Sequence, residues 1–224
     1  MEAKRLTGAL SEPGASAWQE APVEHVALAA VPLADQQSRY IRTSWADRPY
    51  GFVRDLRAQA AHDGERFYLR LEWSSPTLEA RTADENPFSN PIEGPDAFPD
   101  SVAVMFPASE DAELDTKGSE EAPVEIWRWA EGMPETVEDL LATGLGTLRP
   151  ANGDGADLVA RSGSDGSHWQ VVFGRPLGAE PEAVPRLAPG EATRLALAVW
   201  AGGNQERAGI KSYSQRWIDL ALEQ

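Results

Sequence analysis

Two residues in this chain carry chemistry that their surroundings do not ask for. Met105 lies in Asp100-Ser101-Val102-Ala103-Val104-Met105-Phe106-Pro107. The alternation puts Val102, Val104 and Phe106 on one face of a strand, and Ala103 and Met105 on the other. On periodicity alone Met105 reads as a core gap-filler, but it is also a soft thioether on a flexible chain. Lys211 is one of only three lysines, the others being Lys4 and Lys117, and it stands beside a glycine-containing turn late in the chain. A lone lysine is ordinarily a solvated charge. The remaining candidates are thin. His25, His62 and His168 are far apart and have no metal-ligand spacing, so they read as surface or strand-end histidines. The serines around Arg161-Ser162-Gly163-Ser164 lack the strand–turn–helix setting of a nucleophile elbow. No phosphate-binding glycine loop or EF-hand pattern occurs. The residues therefore give no catalytic constellation.

Composition narrows the field. Among 224 residues there is no cysteine, which excludes disulfides, thiolate zinc sites, cysteine-ligated iron–sulfur clusters and thioether-attached haem. Any haem must be held without covalent links. A formal charge of −16, from 36 acidic and 20 basic residues, argues against nucleic acid as a partner, because phosphate recognition needs clustered cations. It suits a basic partner protein or a salty habitat. No apolar run approaches the ~20 residues of a membrane span, and the first residues, MEAKRLTGALSEPGASAW, lack the apolar centre of a signal peptide. That is consistent with a cytoplasmic protein, a mature form, or export with a partner that carries the signal.

The elements that would position Met105 and Lys211 are mostly strands. Residues 1–22 read as an irregular arm anchored by Trp18, and residues 23–224 as one domain. Val23–Ala30 is a first strand, and residues 31–52 a polar loop with a short strand at Arg39–Thr43. Val53–Trp73 forms a hairpin around Asp63-Gly64, with Phe67, Leu69, Leu71 and Trp73 inward. A long proline-rich loop over 74–99 precedes the Met105 strand. The acidic stretch Ala108–Ala122 reads as a solvated excursion. Val124–Trp129 is a strand with two tryptophans on one face. A short helix is expected at Pro134–Thr143, ended by Gly144. Strands follow at Leu158–Ala160, Trp169–Arg175, Thr193–Ala201 and Ser214–Leu222. With about eight strands, long loops and one or two short helices, the fold class is all-β, a single β-sandwich.

Four pieces, DSVAVMFP, EIWRW, HWQVVFGRPL and LALAVWAGGNQERAGIKSYSQRW, occur in an order that resembles the haem-binding γ subunits of the ethylbenzene dehydrogenase family. That family includes the small subunits of dimethylsulfide dehydrogenase, chlorate reductase and selenate reductase. The resemblance covers roughly residues 23–222. It implies a sandwich similar to carbohydrate-binding modules, one noncovalent haem b, and electron relay to or from a molybdenum α subunit through an iron–sulfur β subunit, with an external cytochrome or other redox carrier beyond. It also implies a periplasmic location. Carried over by position, the strand methionine is Met105 and the lysine of the Arg-x-Gly-x-Lys-Ser turn is Lys211, the axial pair.

The implied pair is chemically coherent. A thioether favours reduced iron, and a lysine ligates only as the neutral amine, so burial and the metal must lower its pKa. Phe88, Trp127, Trp129 and Trp200 are the expected apolar walls. The alternative is a sugar-binding module without haem, using Trp45, Trp127 or Trp129 as a stacking platform.

Overall fold

A computed structural model describes residues 1–78, 98–132, 137–151, 157–178 and 187–224. Among the described residues fourteen strands join; eleven form one continuous path that folds over into two layers, with β2, β3 and β13 paired at its side. Their ranges are β1 Glu2–Arg5, β2 Glu24–Ala27, β3 Ala29–Ala30, β4 Asp55–His62, β5 Arg66–Ser74, β6 Ser101–Pro107 and β7 Val124–Ala130. The remainder are β8 Glu138–Ala142, β9 Arg149–Pro150, β10 Val159–Ser164, β11 His168–Pro176, β12 Ala192–Trp200, β13 Ser212–Tyr213 and β14 Ile218–Leu222. The first layer runs β10-β11-β5-β4-β1-β14-β12, and the second runs β12-β6-β7-β8-β9.

Strand β12 belongs to both layers. Its first half, Ala192–Leu195, pairs with β14, and its second half, Ala196–Trp200, pairs with β6. Between the layers lies the main core. Phe67, Leu69, Leu71, Val171 and Phe173 of the first layer meet Val102, Val104, Phe106, Trp127 and Trp129 of the second. Phe106 and Phe173 stand 4.7 and 6.3 Å from Trp127, centroid to centroid, and Trp169 stands 5.1 Å from Trp129. Such offset aromatic contacts add to the area each ring buries.

The hairpin is as expected. β4 and β5 pair from Arg57↔Glu72 to His62↔Phe67, with Phe67, Leu69, Leu71 and Trp73 in the core. The expected arm, residues 1–22, is more than an arm. β1 joins β4 and β14 in parallel. Leu6, Leu10 and Trp18 then cover Tyr68 and Val172 on the outer face of the first layer. Arg70, on the outer face of β5, lies buried under this cover. It donates to the Pro13 carbonyl, the Gln59 side chain and Glu72.

Two local expectations are corrected. Residues 138–142, expected as the end of a helix, are strand β8, whose Leu140 pairs with Ile126. Residues 133–136 of that segment lie outside the described residues. Arg39–Ser44, expected to include a short strand, is a helix, α1, with the Ser38 hydroxyl accepting from Ile41 N–H. Serine at that position satisfies an otherwise unpaired first-turn donor, a local signal stronger than the mixed pattern behind it.

One charged cluster sits inside the sandwich. Glu125 is fully buried and accepts from Arg175 Nη1 at 2.9 and 3.2 Å and from Trp127 Nε1. Burial raises the Glu125 carboxyl far above its ordinary range despite Arg175, and neighbouring Asp139 adds to the rise. Asp139 is itself raised by burial. Burial and their mutual repulsion thus disfavour charge on both carboxyls at once. Removing one partner of such a cluster strands a buried charge. Arg175→Met is expected to cost about 3–5 kcal/mol of unfolding free energy, and adding Glu125→Gln to it should restore part of the loss. Urea unfolding of the four proteins of that cycle checks both statements.

Candidate functional site

The outer face of the second layer holds the site, and the alternation of β6 decides which residues reach it. Met105 pairs across to Ala196 of β12 on one side and Ile126 of β7 on the other. Ala198, two residues along β12, pairs with Ala103 and with Tyr213 of β13. Met105, Ala103, Ala196, Ala198, Trp200, Ile126, Leu140 and Tyr213 therefore share one face. Ala103, Ile126 and Trp200 are buried there as a second apolar cluster, with Met105, Leu140, Ala198 and Trp217 packed against it. Within β6 every residue is buried except Met105, which retains accessible surface. The outer face above this central strand is therefore not fully covered, and the small alanines beside Met105 leave a shallow cleft around the sulfur.

Lys211 comes to the same face. Its carbonyl accepts from Val31 N–H, extending the β13–β3 ladder by one residue. Two residues before Tyr213, its side chain points the same way. The Nζ lies 5.0 Å from the Trp200 ring centroid. Among the described residues no carboxylate pairs with it. Burial, together with the nearby Lys117 charge, lowers its pKa to about 7. At neutral pH a large share of the amine is thus unprotonated and able to donate its lone pair.

The chain spends much local structure on holding Lys211. The loop before it is clasped by Glu206, buried at 1% exposure, whose carboxylate accepts from Gly51 N–H at 2.7 Å and Ala201 N–H at 3.0 Å. Gln205 and Ala208 adopt positive φ of 60° and 51°, a conformation unusual outside glycine. Trp200 Nε1 donates to the Ala208 carbonyl at 3.1 Å, tying the cleft wall to the loop. At Gly209 a Cβ would fall 2.0 Å from Gln36 Oε1, so a larger residue there would push the Gln36 side chain away.

The cover of the cleft is the segment 108–123. It was expected as a solvated excursion, yet Ala112 and Ala122 are buried against Trp200, Ile126 and Ala103. Its carboxylates remain exposed. The charge pattern revealed the outer side of this segment, and the small alanines that form its inner side gave too weak a signal to read.

Of the expected walls among the described residues, Trp200 is on this face. Trp127 and Trp129, 0% and 4% exposed, point into the main core on the opposite side of β7. Their partners at 104 and 102 are the inward positions of β6, so neither reaches Met105. Phe88 lies outside the described residues. Trp45, Trp127 and Trp129 are all buried, which removes the expected sugar-stacking platform. Ile126, Leu140, Trp217, Tyr213 and Lys117 were missed by sequence reasoning. Ile126 could have been found from the Val124–Trp129 alternation once its inward face was known. His62 is buried against the Glu223 carbonyl, and His168 belongs to a turn with Asp165 and Ser167. Among the described residues no group of three or more histidines and carboxylates is arranged to hold a metal ion, and no helix is long and apolar enough to cross a membrane.

The architecture is that of carbohydrate-binding β-sandwiches. A family 9 carbohydrate-binding module from Caldicellulosiruptor kristjanssonii, solved with glucose, superposes with a TM-score of 0.52 at 10% identity, covering 100% of this chain and 95% of the module. At that identity the likeness concerns the fold alone. Residues 15–142 match the family described as ethylbenzene dehydrogenase. The chlorate reductase subunit gamma of Ideonella dechloratans is 31% identical over 95% of this chain and 80% of its own length. The dimethylsulfide dehydrogenase subunit gamma of Rhodovulum sulfidophilum is 33% identical over 73% of the chain and 59% of its own. A Haloferax mediterranei protein, provisionally named respiratory nitrate reductase heme subunit ORF7, is 33% identical over 91% of the chain and 66% of its own. The chain thus spans less than two thirds of the length of the last two relatives. It belongs to the ethylbenzene dehydrogenase family.

The depressed Lys211 pKa has a measurable consequence in the cofactor-free chain. Between about 7 and the ordinary 10.5, the unfolded chain binds a proton that the folded chain does not. Stability therefore rises with pH across that window, and the Lys211 contribution is lost as pH falls through about 7. Lys211→Met should flatten this part of the curve. Denaturant midpoints of both proteins across pH 6–10 give the comparison, and parallel curves contradict the burial of the amine.

Proposed function

We propose that this chain is a noncatalytic electron-transfer subunit that holds one noncovalent haem b between Met105 and Lys211. The observation that carries this reading is the convergence of the two on one face, around Trp200 and an alanine floor. The residues fit the group. The face is apolar, Met105 keeps accessible surface at its centre, and Lys211 is amine-rich at neutral pH without a carboxylate partner among the described residues. The name of the Haloferax relative, a heme subunit, agrees with this reading.

Each residue has a role in it. Met105 supplies a soft sulfur that favours the reduced state of iron. Lys211 supplies a nitrogen lone pair, and burial has already removed part of the cost of deprotonating it. Trp200 and the alanines keep water from the site. Haem b would supply one-electron cycling between ferric and ferrous iron. Because the chain has no cysteine, clusters and catalysis would reside in partners, by resemblance an iron–sulfur β subunit and a molybdenum α subunit. An external cytochrome or similar carrier would lie at the other end, with the assembly in the periplasm.

The test is spectroscopic. The haem-loaded chain should be six-coordinate and low-spin in both oxidation states. Met105→Ala should lower the reduction potential, and Lys211→Ala should introduce a high-spin component. Acidification should act like Lys211→Ala, because protons compete with the metal for the amine. Trp127→Ala serves as the control, losing about 3–5 kcal/mol of stability with an unchanged spectrum. Wild-type spectra and potentials in both ligand variants would overturn the assignment.

A further inference from the structure

Two of the three lysines in an acidic chain belong to the same face, and only one is needed as a donor. The second, Lys117, stands in the covering segment. Its backbone is fixed in a tight turn. Lys117 N–H donates to the Leu114 carbonyl at 3.2 Å and Gly118 N–H to the Glu113 carbonyl at 2.9 Å. Lys117 takes a positive φ of 58°, and a Cβ at Gly118 would meet the Ala122 carbonyl oxygen at 2.4 Å. The flanking Ala112 and Ala122 are buried in the cleft cluster, so the turn is held against the face that carries Met105 and Trp200.

The charge on Lys117 is poorly answered by the protein. Its own segment carries Glu110, Asp111, Glu113, Asp115, Glu120 and Glu121, all exposed. Among the described residues none of them pairs with it. The other cations at the rim are tied down. Arg128 pairs with Glu138 at 2.7 Å, and Arg194 donates to the Glu110 carbonyl at 2.8 Å. Lys117 is instead half-buried, in a turn held against the face that Lys211 also reaches. A half-buried cation beside a second amine, turned away from nearby carboxylates, is arranged for an anion that comes from outside the chain.

We propose that Lys117 is a recognition residue for a carboxylate of the cofactor, pairing with a haem propionate at the covered side of the cleft. The proposal rests on the haem reading above. In that arrangement Lys211 gives its lone pair as a neutral donor, while Lys117 keeps its charge and pairs with the propionate. The cover and the cofactor are thereby linked.

The experiment titrates the cofactor-free full chain with haemin and, separately, with haemin dimethyl ester, whose propionates carry no charge. Absorbance changes give the affinities. The wild-type chain should bind haemin more tightly than the ester. Lys117→Gln should weaken haemin binding roughly tenfold or more, the scale of a charge-assisted hydrogen bond, and leave ester binding and the visible spectrum unchanged. Lys117→Arg should recover most of the haemin affinity. Equal weakening of both porphyrins would reduce Lys117 to a loop-holding role and overturn the proposal. An altered spectrum would make it an iron ligand, and unchanged haemin affinity would give it no part in binding; either result also overturns it. If the wild-type chain binds neither porphyrin, the haem reading itself fails and the proposal falls with it.

Discussion

β6 is hydrogen-bonded on both sides, to β12 and to β7, and its register forces a strict division of side chains between two apolar regions. Val102, Val104 and Phe106 must enter the sandwich core, so Ala103 and Met105 must leave it. A shift of one residue would bury the sulfur and expose Phe106, which the packing of Phe106 against Trp127 prevents. The same register carries outward through the neighbouring strands. It places Ala196 and Ala198 beside Met105 and turns Ile126 and Leu140 toward it. The cleft is thus a consequence of the core: the large inward residues fix the strand, and the small outward residues leave room above it.

Buried carboxylates do for the loops what aromatic packing does for the strands. Asp100, immediately before β6, accepts from Ser75 and Thr77 hydroxyls, from Trp169 Nε1 at 2.9 Å and from Gly202 N–H at 2.7 Å. Glu206 then fixes the next turn through Gly51 and Ala201. Asp100 sits where the chain enters β6, and Glu206 where it has left β12 on its way to Lys211. A carboxylate with several donors directed at it tolerates burial that an unpaired one would not. The position of a single lysine is in this way tied to hydrogen bonds spread over more than a hundred residues of sequence. Such a network trades adaptability for a pre-set geometry at the cleft.

The sequence was most legible where one period dominated. The hairpin of β4 and β5, the outward placement of Met105 and the pairing of Trp127 and Trp129 on one face all follow from alternation. Alternation does not say which face is inside, and that is why both tryptophans were assigned to the cleft although they fill the core. The residues 138–142 were misread because Pro134 and two early glutamates imitate a helix start, whereas pairing with β7 holds Glu138–Ala142 extended. Charge hid the covering role of residues 108–123, whose inward contacts come from two alanines. Lys211 stood out by rarity, yet its surroundings depend on contacts with Gly51, Gln36 and Val31 that no local pattern announces.

The central claim is the position of the iron, on the outer face of the second layer and not in the core. Anomalous scattering at the iron absorption edge from crystals of the haem-loaded chain locates that atom directly. The account predicts a single iron peak between the Met105 sulfur and the Lys211 amine nitrogen, with Trp200 alongside. An iron peak beside Trp127 and Trp129, or anywhere away from both Met105 and Lys211, would contradict it.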